Sequence, residues 1–95
     1  MKLIYDNGNT QNELHIYEHK KHKFRMHFVH ENGEPVPTLS IMLDNGTWEQ
    51  IETAKSVNAH WENLYFLDRD SDLPKLKEQN DKAEQAFINY IKTVY

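Results

Sequence analysis

The sequence predicts an α+β fold in which an antiparallel sheet of about four strands, formed by the N-terminal half, packs against two C-terminal helices. Three observations carry this expectation. Residues 13–30 alternate apolar and polar side chains with the period of a half-buried strand. Gly- and Pro-containing turn signals interrupt the first half at residues 7–10, 31–37 and 44–46. The end of the chain instead spaces Leu76, Ala83, Phe87, Tyr90 and Ile91 as one stripe of a helix.

The length bounds the rest. Ninety-five residues make one domain, 1–95, able to bury one modest core. A hydrophobic fraction of 38% with 12% aromatics favours folding over disorder. The chain has no cysteine, which excludes disulfides, thiolate zinc sites and thiol catalysis, and favours a cytoplasmic location. No segment has the length of a signal-peptide core or of a membrane span, so a soluble protein without a membrane partner is expected.

Taken in order, Lys2 to Asp6 reads as a short strand, and Asn7-Gly8-Asn9-Thr10 as a turn in which Gly8 can take positive φ. Glu13 to His30 then reads as a hairpin. Leu14 and Ile16 alternate with His15 and Tyr17; Phe24, Met26 and Phe28 alternate with Arg25 and His27. Placing Ile16 opposite Phe24 and Leu14 opposite Met26 puts all four on one face, with His19 to Lys21 as a three-residue loop. That register sets His15 opposite Arg25, Tyr17 opposite Lys23 and Glu13 opposite His27 on the exposed face.

After a turn through Gly33 and Pro35, Thr38 to Leu43 reads as the fourth strand, with Leu39, Ile41 and Leu43 inward. Two readings compete beyond it. Asn45-Gly46 is a strong hairpin signal, but a two-residue hairpin opposes Ile41 to Gln50 and Leu39 to Glu52. The helical reading uses Thr47 as N-cap, Gln50 as its capping-box partner, and Trp48, Ile51, Ala54 and Val57 as an apolar stripe. The helix is the expectation. Residues 58–67 fit helix or strand. Residues 68–72 read as a polar loop whose Ser71 or Asp72 caps the final helix, with Pro74 in its first turn and an end near Lys92.

The candidate sites each have a plain structural alternative. His15 and His19 are four apart, which suits a zinc pair on a helix, but on a strand they stand about 13 Å apart. Glu13, His15 and His27 approach across the hairpin, yet Arg25 opposite His15 would repel a cation, so no metal is expected. The Asp68-x-Asp70-x-Asp72 spacing matches the start of a calcium loop, but Leu73 stands where glycine is needed and Gln79 where a bidentate glutamate is needed. No nucleophile elbow or Gly-rich phosphate loop is present.

The expected function is therefore a non-enzymatic interaction protein without cofactors. A formal net charge of -4 suits a protein partner with a basic surface, bound in the manner of an inhibitor, immunity factor or adaptor. The candidate binding residues are His15, Tyr17, Lys23, Arg25 and His27 on the hairpin and Asp68, Asp70 and Asp72 in the acidic half. The alternative is a regulatory protein binding nucleic acid through the basic hairpin face. A homodimer through the sheet is also compatible with the pattern.

Overall fold

A computed structural model describes residues 1–10, 12–29, 37–59 and 69–95, apart from the side chains of residues 29 and 69–73. Five strands, β1 (Lys2–Asp6), β2 (Asn12–His19), β3 (His22–Val29), β4 (Thr38–Met42) and β5 (Trp48–Thr53), precede one helix, α1 (Arg69–Val94). The strands form one antiparallel meander in chain order, β1-β2-β3-β4-β5. The fold is α+β, with five strands where about four were expected and, among the described residues, one helix where two were expected.

The core lies between the sheet and α1. Phe24, Met26 and Phe28 of β3 and Leu39 and Ile41 of β4 meet Ala83, Phe87 and Ile91 of the helix, with Ala54 closing one end. The Phe28 and Phe87 rings lie 6.4 Å apart. Of the inward residues expected on β4, Leu43 is exposed because the strand ends at Met42. No helix among the described residues is long and apolar enough to cross a membrane.

Three local expectations are corrected. The first is the segment after β4, where Trp48–Thr53 is a strand and 54–58 is a turn. Asp44, Asn45 and Gly46 form a three-residue hairpin loop. The Gly46 N–H donates to the Leu43 carbonyl at 2.9 Å, the Leu43 N–H donates to the Thr47 carbonyl at 2.8 Å, and Gly46 sits at φ +82°. A left-handed residue closing a three-residue loop is the role glycine fills without strain. The pairing that argued against a hairpin persists in part, with Leu39 still opposite Glu52 and Ile41 opposite Glu49, and a bulge adds one residue to β5. Ser40 pairs with Gln50 and Leu39 with Glu52, so Ile51 is the extra residue and packs against the core.

The second correction is the β2–β3 register. The loop is two residues, Lys20 and Lys21, at φ 48° and 72°. Positive φ at both central positions is the type I′ geometry that matches strand twist. Tyr17 thereby faces Phe24, His15 faces Met26 and Glu13 faces Phe28. Relative to the expected pairing the strand slips by one residue, which exchanges its two faces. Glu13, His15 and Tyr17 lie beneath α1. Leu14 and Ile16, half-buried, share the opposite face with Arg25 and His27.

The third is the start of α1. The helix begins at Arg69, so residues 70–72 belong to it, and Pro74 falls in its second turn. There the missing N–H removes one helical hydrogen bond. Asp68 and the ambiguous stretch 60–67 lie outside the described residues; Asn58, just before, turns the chain at φ +60°.

Candidate functional site

The helix explains why β2 buries its polar row. On α1, the side chains of Lys77, Asn80 and Glu84 face the sheet, and each finds a partner there. Lys77 Nζ donates to both carboxylate oxygens of Glu13, at 3.2 and 2.9 Å, and lies 3.1 Å from Asp81. Asn80, fully buried, donates through Nδ2 to the Thr10 carbonyl at 3.1 Å and to Glu13 Oε1 at 3.3 Å. Glu84 accepts from His15 Nδ1, at 2.9 and 3.0 Å to its two oxygens, and from the Tyr17 hydroxyl. A carboxylate can only accept, so Nδ1 carries the proton.

The other ring nitrogen of His15 is differently placed. Nε2 is buried and makes no hydrogen bond. Its near neighbours are Asp6 Oδ1 at 3.3 Å and Glu13 Oε2 at 3.6 Å. Asp6 reaches this position through the β1–β2 register, in which it pairs with His15. The connection is held by Asn7, whose Oδ1 accepts the Leu14 N–H at 3.0 Å and whose Nδ2 donates to the Asn12 carbonyl at 2.7 Å. The Asp6 carboxylate also accepts the Gly8 N–H at 2.8 Å.

Charge and burial shift the titrating groups. The Gly8 N–H is the main cause holding the Asp6 carboxyl below its ordinary 3.8; burial opposes it, and the charges of His15 and Lys77 assist. Burial, then the bond to Glu84, pushes the Tyr17 hydroxyl well above its ordinary 10.0. Burial alone would lower Lys77, but Glu13 and Asp81 outweigh it and raise the ammonium above 10.5. The cluster thus sets four carboxylates, Asp6, Glu13, Asp81 and Glu84, against one ammonium.

The candidate residues named from the sequence are divided by this arrangement. His15 and Tyr17 stand inside the cluster, beneath the helix, where an exposed face was expected. Lys23, Arg25 and His27 stay together on the opposite face of β3. There the Arg25 guanidinium lies 4.9 Å over the Trp48 ring, and His27 Nε2 bonds Asn12 Oδ1 at 2.7 Å. His27 is therefore separated from His15 by the sheet. Asp70 and Asp72 lie in the first turn of α1, and Asp68 is outside the described residues.

Sequence reasoning missed Asp6, Lys77, Asn80, Asp81 and Glu84. One signal was present: the apolar stripe of α1 has a gap between Leu76 and Ala83, and Asn80, one turn from each, fills it. Elsewhere, a shallow groove of about 380 Å³ between β5 and α1 is lined by Glu52, Ser56, Val57, Ala86, Asn89, Tyr90 and Thr93. Burial and a bond to Glu52 raise the Tyr90 hydroxyl there. Comparisons with protein-family models, with curated proteins and with solved structures gave no match.

Proposed function

We propose that this chain is a non-enzymatic interaction protein that binds, and thereby inhibits or modulates, a protein partner with a basic surface. The observation that carries this reading is β1. It ends the sheet, and Leu3, Ile4 and Tyr5 are exposed by 44, 41 and 50% along it. Among the described residues no strand pairs with its outer side. Soluble folds blunt such edges with lysine, proline or short length, because free N–H and C=O groups beside apolar side chains recruit a further strand. A partner strand added to β1 would satisfy the backbone groups and cover the apolar row. The net charge of -4 favours basic partners by long-range attraction.

The test is affinity purification of the tagged chain from its native cell, beside a Leu3→Lys/Tyr5→Lys variant. The expected result is one stoichiometric protein partner that the variant loses. Recovery of no stoichiometric partner, or equal recovery by the variant, overturns the reading. Sedimentation equilibrium of the purified chain separates a heterologous partner from a second copy on the same edge.

A second reading, regulatory binding of nucleic acid, is favoured by one feature. Lys23, Arg25 and His27 share a face with Trp48, combining cations with a large aromatic. A gel shift that weakens steeply with salt and disappears in Lys23→Glu would support it. No shift at any salt would remove it.

A further inference from the structure

We infer that Asp6, Glu13 and His15 form a divalent transition-metal site, best matched to zinc, with Glu84 as the residue that orients its histidine. The inference is independent of the partner proposed above. It starts from the one polar atom in the cluster that the fold leaves unsatisfied. The His15 side chain is only 6% exposed, and its Nε2 makes no hydrogen bond. A buried ring nitrogen is ordinarily paired, and each exception calls for a cause.

The geometry supplies one. With Nδ1–H committed to Glu84, the ring in its metal-binding form, without a proton on Nε2, turns that nitrogen's lone pair toward Asp6 and Glu13. A carboxylate on one histidine nitrogen and a metal on the other is the recurrent arrangement of protein zinc sites, since the carboxylate fixes the tautomer and raises ligand basicity. Donor atoms on a tetrahedral ion with bonds near 2.1 Å lie about 3.4 Å apart. Nε2 lies 3.3 Å from Asp6 Oδ1 and 3.6 Å from Glu13 Oε2, and one donor atom from each residue falls within 4.8 Å of the others. Three such protein donors leave a fourth position for water, and the half-exposed Asp6 opens the site to solvent.

Charge points the same way. Four carboxylates crowd the cluster and Lys77 is its one ammonium, so a divalent ion removes most of the excess. Lys77 holds Glu13 from the helix side and competes with the ion for Oε2. The objection raised from the sequence, an arginine opposite His15, does not hold. Met26 occupies that position, and Arg25 is on the far face of the sheet.

The experiment titrates the full metal-free chain with Zn²⁺ against a chromogenic chelator, and with Co²⁺ followed by its visible absorption. The expected result is one ion per chain, with Co²⁺ bands of tetrahedral intensity. Asp6→Asn, on an exposed carboxylate whose replacement can still accept the Gly8 N–H, should weaken zinc at least about tenfold while leaving the fold intact. Glu84→Gln should weaken it by roughly 10–100-fold, as orienting residues do. Lys77→Met should tighten it. The inference is overturned if the wild-type chain takes up no Zn²⁺ at micromolar concentrations. It is equally overturned if Asp6→Asn, folded by circular dichroism, binds as the wild type does.

Discussion

Removing the Glu84 carboxylate is the sharpest test of why the chain buries a polar row. Glu84 is 12% exposed and accepts from two donors of β2, the His15 ring and the Tyr17 hydroxyl. A hydrogen bond to a charged group contributes roughly 1.5–3 kcal/mol, and a donor left buried without a partner costs a further 1–3. Two terms offset this. Tyr17 is only half-buried, which lowers the cost of losing its partner, and the loss of one negative charge relieves repulsion with Glu13 and Asp81. Glu84→Ala should therefore destabilise the fold by about 2–3 kcal/mol. In a chain of this size that lowers the midpoint of thermal unfolding by roughly 10–20 °C. Urea unfolding followed by circular dichroism should show a lower midpoint with an unchanged slope. The control is Glu78→Ala, on the same helix but 68% exposed and paired with Lys82, which should stay within about 0.5 kcal/mol of wild type. If Glu84→Ala behaves like Glu78→Ala, the polar row is not held by the helix.

Other expectations follow from the same geometry. Lys21→Gly should stabilise the hairpin by about 0.5–1 kcal/mol, because glycine takes the φ of 72° without the steric penalty that a side chain meets; equal or lower stability in thermal unfolding would exclude this geometry. Phe87→Ala should cost about 3–5 kcal/mol in urea, since it empties the centre of the core. Tyr17 and Lys77 both have native pKa values above their ordinary 10.0 and 10.5, so the native state holds protons that the unfolded chain has released. Stability should fall as pH rises beyond about 10, and Tyr17→Phe should flatten part of that fall in urea midpoints measured against pH. Asp6 is shifted the other way, so its contribution is present above the ordinary 3.8 and lost as pH drops through the lower native value. A carbon-detected titration of its carboxyl should show the depressed midpoint.

The fold was legible where sequence signals are local. The alternation of β2 and β3, the turn residues around Gly8 and Gly46, and the helical stripe through Phe87 each declare an element through its own side chains. The register of β2 was not legible, because its two rows made different claims. Leu14 and Ile16 are the apolar row, and on hydrophobicity alone they belong with Phe24 and Met26. The row that is buried, Glu13, His15 and Tyr17, is acceptable there only because Lys77, Asn80 and Glu84 come from a helix some 65 residues later along the chain. Polar satisfaction across the core decided what hydrophobic patterning alone could not. β5 failed for a related reason. Asn45-Gly46 signalled the hairpin correctly, but the bulge at Ile51, which lets that side chain pack against the core, leaves no mark in the residue pattern. The metal reading of the hairpin grouped Glu13, His15 and His27; Glu13 shares the face of His15, whereas His27 lies across the sheet.

The β2–β3 register is the claim on which the cluster, the helix contacts and the metal site all depend. Interstrand nuclear Overhauser effects between α-protons test it directly. A two-residue turn makes His19 and His22 a hydrogen-bonded pair, so the alternating close pairs are Glu18 with Lys23, Ile16 with Arg25 and Leu14 with His27. Strong α-proton cross-peaks for these three pairs, together with contacts from the His15 ring to the Glu84 side chain, are the predicted result. Cross-peaks that instead pair Ile16 with Phe24, or His15 with Arg25, would contradict it and return His15 to the open face of the sheet.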